Sequence, residues 1–352
     1  MLAAMLEALR ESKTDLNFTV ISLNPGYTKK RHNVDAVGWL DIFSIIKKIL
    51  KADLLISGGG SLLQNVTSCR SLYYYLGIIF LAKLFGCKVM LYAQGIGPIR
   101  GAFPSWLMKV ILNRVNLITV RDRGSLDELR RLKITVPKIF CTADPVLALN
   151  PVPLNFGKKI LELHAVNIES APKIGVAVRH WIDWDKCRNE IAAALDMLVE
   201  KISAQIIFIP MHFPEDVKAA KSIVEIMKNP CTLIEEELLT AESLSLIGCL
   251  DVLISIRLHA LIFAGVMGIP MLGISYDPKI GRFLDSINEK PLGNLQDVTA
   301  DKIFAETVKR LEANKTFHNR SQLANLRELS LKNAKLAIEL LGISKEGRFD
   351  LS

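Results

Sequence analysis

Short apolar runs alternate along this chain with stretches in which apolar residues recur every three or four positions. The first pattern reads as buried strands and the second as amphipathic helices, and their alternation marks βα units winding a parallel sheet. In the first half, strands are predicted over 18–23, 53–57, 88–93, 117–121 and 138–141, with helices over 39–50, 72–85, 104–113 and 123–132. A second series has strands over 174–179, 205–210, 231–234, 251–255 and 271–275, separated by helices over 186–203, 214–228, 240–248 and 257–267. From 299 to 341 the pattern is helical only. The opening MLAAMLEALRESK carries Glu7 and Arg10 at helical spacing and no basic region ahead of its apolar residues, so it reads as an amphipathic helix and not as a signal peptide.

Pro145, Pro151 and Pro153 interrupt the pattern between the two series. The expected organisation is an N-terminal Rossmann-like domain over 1–150, a linker over 151–172, a C-terminal Rossmann-like domain over 173–298 and closing helices over 299–352. The fold class is therefore α/β, with two Rossmann-like domains facing a cleft. A weak echo links the halves: Asp53-Leu-Leu-Ile-Ser57 precedes GGGSLL, and Asp251-Val-Leu-Ile-Ser255 precedes IRLHAL. In both, a strand ends in Ser and enters a turn expected to open a helix, at the carboxyl edge where open α/β sheets bind ligands.

The length of 352 residues suits two domains, and an apolar fraction of 50% excludes a disordered or collagen-like chain. Neither long apolar stretch reads as a membrane span: LYYYLGIIFLA stops at Lys83, and the run over 258–274 contains His259, three glycines and Pro270. Forty-four Lys and Arg against 36 Asp and Glu leave a charge of +8, which predicts attraction to anions without choosing among nucleic acid, lipid and a phosphorylated metabolite. Nucleic acid is disfavoured because the cations are dispersed and no basic run is interleaved with aromatics. Peripheral membrane contact remains open. Six singly placed cysteines without a C-x-x-C pair predict reduced, buried thiols and a cytoplasmic location. No His or Cys spacing suggests a metal.

The candidate chemistry sits at predicted strand ends. Gly58-Gly59-Gly60, followed by Ser61-Leu62-Leu63-Gln64, either brings backbone N–H groups close to an anion or sugar, or is a packing turn. It is neither a dinucleotide fingerprint nor a P-loop. A second glycine turn, Gln94-Gly95-Ile96-Gly97-Pro98-Ile99-Arg100, offers Gln94 as a hydrogen-bonding group and Arg100 as a cation on the same rim. Arg121 and Asp122 end the next strand, as ligand contacts or as an ion pair and a helix cap.

In the second half Arg179-His180 closes a strand, with Trp181 and Trp184 behind it, and His212 follows the next strand. The strongest group is Ser255-Ile256-Arg257-Leu258-His259, with Tyr276-Asp277-Pro278-Lys279 after the following strand. Arg257 and His259 are expected in the first turn of a helix, where free N–H groups and the helix dipole already favour an anion.

Taken in order, ISGGGSLLQ, YAQGIGP, VRD, SIRLHAL and YDPK span some 290 residues and resemble the polysaccharide pyruvyl transferase family, most closely its CsaB-type cell-wall members. The resemblance implies a GT-B-like fold and transfer of pyruvate from phosphoenolpyruvate, as donor substrate and without a further cofactor, to a sugar. The acceptor it implies is an N-acetylmannosamine-type sugar, lipid-linked or polymeric, in a secondary cell-wall polymer that anchors S-layer proteins. Arg257 and His259 then become catalytic and donor-binding residues, Lys279 and Arg100 donor contacts, and Gly58, Gly59, Gly60, Gln64, Gln94, Gly95, Arg121 and Arg179 cleft or acceptor residues. Relatives begin with a strand and an acidic glycine-rich loop, whereas this chain starts inside the following helix, so the first sheet is expected to lack a strand. Two other readings share the architecture: a nucleotide-sugar glycosyltransferase and a two-lobed sugar- or anion-binding protein without activity.

Overall fold

A computed structural model describes residues 1–13, 15–65, 68–167, 171–181, 184–313 and 320–342. The chain divides into two compact units, Met1–Leu149 with the segment from Leu326 onward, and Asn150–Asn325.

The first unit opens with helix α1 (Leu2–Ser12), then β1 (Thr19–Ser22), α2 (Pro25–His32), β2 (Asp35–Gly38) and α3 (Ile42–Ile49). It continues with β3 (Leu54–Gly58), α4 (Cys69–Leu84), β4 (Lys88–Gln94), α5 (Ala102–Leu112), β5 (Leu117–Val120), α6 (Arg123–Arg131), β6 (Lys138–Cys141) and a 3-10 turn, Pro145–Ala148. Strands β3, β4, β5 and β6 form a parallel sheet in that order, while β1 and β2 pair in a separate parallel ribbon. One core lies between this sheet and α3, α4, α5 and α6, built from Ile45, Leu72, Leu76, Ile79, Met108 and Leu129 among others.

The second unit contains α7 (Asn155–Leu163), β7 (Lys173–Ala177), α8 (Trp184–Ile202), β8 (Gln205–Phe208), α9 (Glu215–Val224), β9 (Thr232–Leu233) and α10 (Thr240–Gly248). After these come β10 (Val252–Ser255), α11 (Leu258–Met267), β11 (Met271–Ser275), α12 (Pro278–Ser286), β12 (Gly293–Asn294), α13 (Ala300–Glu312) and the start of α14 (Arg320–Leu341). Its six parallel strands run in the order β12-β11-β10-β7-β8-β9. Winding reverses between β7 and β10, the topological switch point of a Rossmann sheet. The apolar runs that read as buried strands are buried on both faces here: all five residues of β7, all four of β10 and all five of β11.

Several elements depart from the sequence reading. The segment expected as a linker holds α7, because Pro151 and Pro153 precede Asn155 and Pro172 follows Leu163, which leaves the helical stretch NFGKKILEL intact. The closing helices are not an appendage. Phe304, Val308 and Leu311 of α13 pack on the core of the second unit. From Leu326 onward α14 belongs to the first unit, where Ala334, Leu336, Ala337 and Ile338 join Met90, Tyr92 and Ala148 in one core. Buried Ser330 and Asn333 hydrogen-bond the Asp144 and Ala143 carbonyls there. The echo between the halves fails at its helix: the Ser255 turn opens α11 almost at once, whereas α4 begins only at Cys69, after an isolated parallel bridge between Leu63 and Ile96. All six cysteines are free thiols, but Cys69 and Cys141 are exposed, contrary to the expectation of burial. No helix among the described residues is long and apolar enough to cross a membrane.

Helix α7 lies tightly on α10. The Gly157 N–H donates to Ser245 Oγ at 2.7 Å, and a Cβ at Gly157 would stand 2.7 Å from Leu246 Cα and closer still to the Ser245 carbonyl. Backbone atoms cannot yield as a side-chain tip does. Gly157→Ala is therefore expected to destabilise the second unit by about 1–3 kcal/mol, read as a lower midpoint in urea unfolding.

Candidate functional site

Parallel winding brings the carboxyl ends of β11, β10, β7 and β8 side by side in the second unit. The ladder aligns Ser255 with Ala177 on one side and Gly273 on the other. The segments leaving these strands therefore meet at one sheet edge: Arg179 after β7, His212 and Asp216 after β8, Arg257 and His259 after β10, and Tyr276 to Lys279 after β11. This edge includes the switch point.

Arg257 is the best-defined group. Ser255, 1% exposed, accepts the Arg257 N–H through its hydroxyl at 2.8 Å. That hydroxyl also lies 3.1 Å from the Ala177 carbonyl, so the turn is tied to the neighbouring strand. Arg257 caps α11 in extended backbone rather than lying inside its first turn. Its guanidinium Nη2 pairs with Asp216 Oδ1. Asp216, 2% exposed, uses Oδ2 to accept the N–H groups of Met211 and His212 at 3.1 and 2.9 Å. One buried carboxylate thus holds both the guanidinium and the β8–α9 loop. The Arg257 Nε is buried with no hydrogen-bond partner among the described residues, an orphan donor beside the N-terminus of α11. His259 is the second residue of that helix and is half-buried.

A second cluster joins β7 to β11. The Arg179 guanidinium lies 4.9 Å from the centre of the Trp181 ring and 5.1 Å from that of Tyr276, and Nη1 donates to the Tyr276 hydroxyl at 2.9 Å. The Trp181 and Tyr276 rings are themselves 4.7 Å apart. Lys279 Nζ sits 5.2 Å from the Tyr276 ring centre and 3.5 Å from Asp277 Oδ2. Asp277 caps α12 by accepting the Lys279 N–H at 2.9 Å. Tyr276 is therefore the common neighbour of two cations, and the aromatic contacts hold the planar guanidinium in place. Arg179 Nε is also buried without a partner among the described residues.

In the first unit the glycine turns interlock. Gly59 and Gly60 adopt φ of 73° and 80°, and the missing side chain of Gly58 leaves room for Met5 of α1. The Gly60 carbonyl accepts from Gly95 N–H at 2.8 Å and from Gln94 Nε2 at 3.1 Å. Gln94 is 0% exposed, and its Oε1 has no partner among the described residues. Ala93 precedes it at φ 45°, held by its N–H on Thr119 Oγ1 at 2.6 Å, where the ladder between β4 and β5 slips its register. Left-handed backbone without glycine costs about 1 kcal/mol.

Arg121 is 8% exposed at its side chain and is spent internally, on Asp144 at 3.0 Å and on Ser61 Oγ at 3.0 Å. A Cβ on Gly95 would crowd that guanidinium. Asp122 caps α6, so this strand end carries the ion pair and cap of the blander reading. Gln64 packs against Gly97. Arg100 is exposed, and its backbone is held by Asn65 at 2.9 and 2.7 Å. Glu128 accepts the Ile99 N–H at 2.8 Å, and hydrogen bonding from Arg131 holds its carboxyl below the usual range.

The structure thus gathers Arg179, Arg257, His259 and Lys279 at one sheet edge, and places the glycine turns, Gln94, Arg100 and Arg121 in the first unit. Sequence reasoning missed Asp216. Its only signal was an acid in the first turn of a helix opening at that edge, which helix-dipole preference alone explains.

The comparisons with known proteins give the family from sequence and the fold from structure. A family model described as polysaccharide pyruvyl transferase matches residues 1–278. No curated protein matches the chain by sequence. Among solved structures, S. aureus MnaA with UDP is similar at TM-score 0.68 and 12% identity, over 100% of this chain and 96% of that one. The UDP-GlcNAc 2-epimerase of Methanocaldococcus jannaschii gives 0.67 and 12%, over 97% and 96%. Anabaena HepE with UDP-glucose gives 0.60 and 10%, over 97% and 94%. At these identities the likeness is one of fold, the GT-B type with two Rossmann-like units.

Proposed function

The chain belongs to the polysaccharide pyruvyl transferase family, and from that premise we propose that it moves a pyruvyl group from phosphoenolpyruvate to a sugar of a cell-wall polysaccharide or its lipid-linked precursor. The product is a pyruvate ketal and the by-product is phosphate. The observation that carries this reading is the gathering of Arg179, Arg257, His259 and Lys279 at the switch-point edge of the second sheet. A donor with a phosphate and a carboxylate needs several cations and planar hydrogen-bond donors, and this edge supplies two guanidiniums with buried, unused Nε–H groups and one ammonium.

The chemistry rests on these groups. Arg257, beside the N-terminus of α11, binds the phosphate, and Lys279 and Arg179 add charge for the carboxylate. A sugar hydroxyl attacks C2 of the donor while His259, as imidazolium, gives a proton to C3, so the methylene becomes a methyl group, and the proton the hydroxyl loses returns the imidazole to imidazolium. Imidazole suits this role because its ordinary pKa, about 6.5, lets it carry a proton near neutrality and release it. The second hydroxyl then displaces phosphate from C2, which closes the ketal. The glycine turns of the first unit, with the unused Gln94 Oε1, are assigned to sugar hydroxyls. A CsaB-type acceptor, N-acetylmannosamine in a secondary cell-wall polymer, is the first to test.

The assay is incubation with phosphoenolpyruvate and an N-acetylmannosaminyl acceptor, measuring phosphate release and ketal formation together. The expected result is one phosphate per ketal. Turnover of a nucleotide sugar with no phosphate release from phosphoenolpyruvate would overturn the reading.

A further inference from the structure

We propose that the outer face of α4 and α5 seats this protein on the surface of an anionic lipid bilayer. Helix α4 carries no charge from Leu72 to Ala82: Leu72, Leu76, Ile79 and Ala82 are buried in the core, while Tyr73, Phe80 and Leu84 recur along the opposite face in solvent, Leu84 at 64% exposed. On the adjoining α5, Phe103 and Trp106 are 59% and 56% exposed. Their rings stack at 5.9 Å, and Phe103 meets Tyr73 edge-on at 6.1 Å. Tyr73, Phe103 and Trp106 therefore form one continuous aromatic patch rather than scattered single residues, and such a patch marks an interaction surface.

The charge around the patch selects the occupant. Residues 54–120 contain six Lys or Arg and no Asp or Glu. Arg70, Arg100 and Lys109 are exposed at or near the ends of these helices. A second copy of this chain would set like charges against each other. A bilayer with anionic headgroups offers what the face requires, an interfacial layer for Trp, Tyr and Phe rings and negative charge for the flanking cations. The attachment proposed is peripheral, and no described helix is both long and apolar enough to span. The surface is separate from the Arg257 edge, so the proposal stands whatever sugar or donor the protein uses.

The test is sedimentation with vesicles of phosphatidylcholine alone and of phosphatidylcholine mixed with phosphatidylglycerol. The expected result is binding to the mixed vesicles only, weakened by salt because exposed charges are screened. The pair Phe103→Ser and Trp106→Ser is expected to reduce binding about tenfold or more. The pair Arg70→Glu and Lys109→Glu, which leaves the aromatics in place, is expected to do the same. All four side chains face solvent, and unchanged thermal unfolding verifies the variants. Equal binding to both vesicle types, no binding to either, or wild-type binding by the aromatic variant would each overturn the proposal. So would a solution dimer that dissociates on the same aromatic substitutions, which would assign the face to self-association.

Discussion

His259→Ala is expected to slow pyruvyl transfer while leaving the fold intact, with phosphate release from phosphoenolpyruvate falling about 10²–10⁴-fold, the usual contribution of a positioned general acid. Alanine is the best helix former, and His259 is a half-buried residue in the first turn of α11 whose removal empties no core. Attack at C2 without a proton at C3 would leave an unstabilised carbanion at C3, so the proton must arrive as the C–O bond forms. The measurement is single-turnover phosphate release with acceptor present, alongside equilibrium binding of phosphoenolpyruvate. Retained donor binding with lost turnover would assign His259 to the proton transfer. Near-normal turnover would remove it from the mechanism.

Asp216 is expected to matter nearly as much without touching substrate. Its buried carboxylate pairs with Arg257 through one oxygen and holds the Met211 and His212 N–H groups through the other. In Asp216→Asn one acceptor oxygen survives, but an amide NH₂ now competes with the guanidinium and the charge that fixes Arg257 is gone. The expected result is a loss of about tenfold to a hundredfold in kcat/KM, carried mainly by the KM for phosphoenolpyruvate, in a protein that still folds. Asp216→Ala goes further. It leaves two N–H groups and a half-buried guanidinium unpaired, and breaking such a pair costs about 3 kcal/mol or more, visible in urea unfolding. If Asp216 acts through Arg257, combining Asp216→Asn with Arg257→Ala should lower activity no further than Arg257→Ala alone. Additive losses would show an independent role, and wild-type kinetics for Asp216→Asn would make the pair purely structural.

Much of this arrangement is legible in the order of the residues. The strand of Met271–Ser275 and the helix of Thr240–Gly248 fall on their predicted bounds because each is a continuous apolar or amphipathic run closed by turn residues. Strands predicted to run on to Arg121 and Arg179 stop earlier, at Val120 and Ala177, since those side chains leave the ladder to reach Asp144 and Tyr276. Helix α2 and strand β2 lack the apolar periodicity that would announce them. Helix α2 is strongly basic and has one buried residue, Thr28, and β2 spans only four.

Periodicity and strand-end position thus determined the class of fold, the βα winding and which basic residues lie at a carboxyl edge, because burial along one element depends on its own sequence. Three features depended on pairings between distant segments, which no local pattern encodes. Asp216 rather than solvent holds Arg257. Arg121 is consumed by Asp144 and Ser61 inside the first unit. The last helix returns to that unit because an apolar stripe near residue 337 fits a surface made by residues 5, 90 and 148. Tertiary structure alone decided which cations are structural and which keep an unused donor.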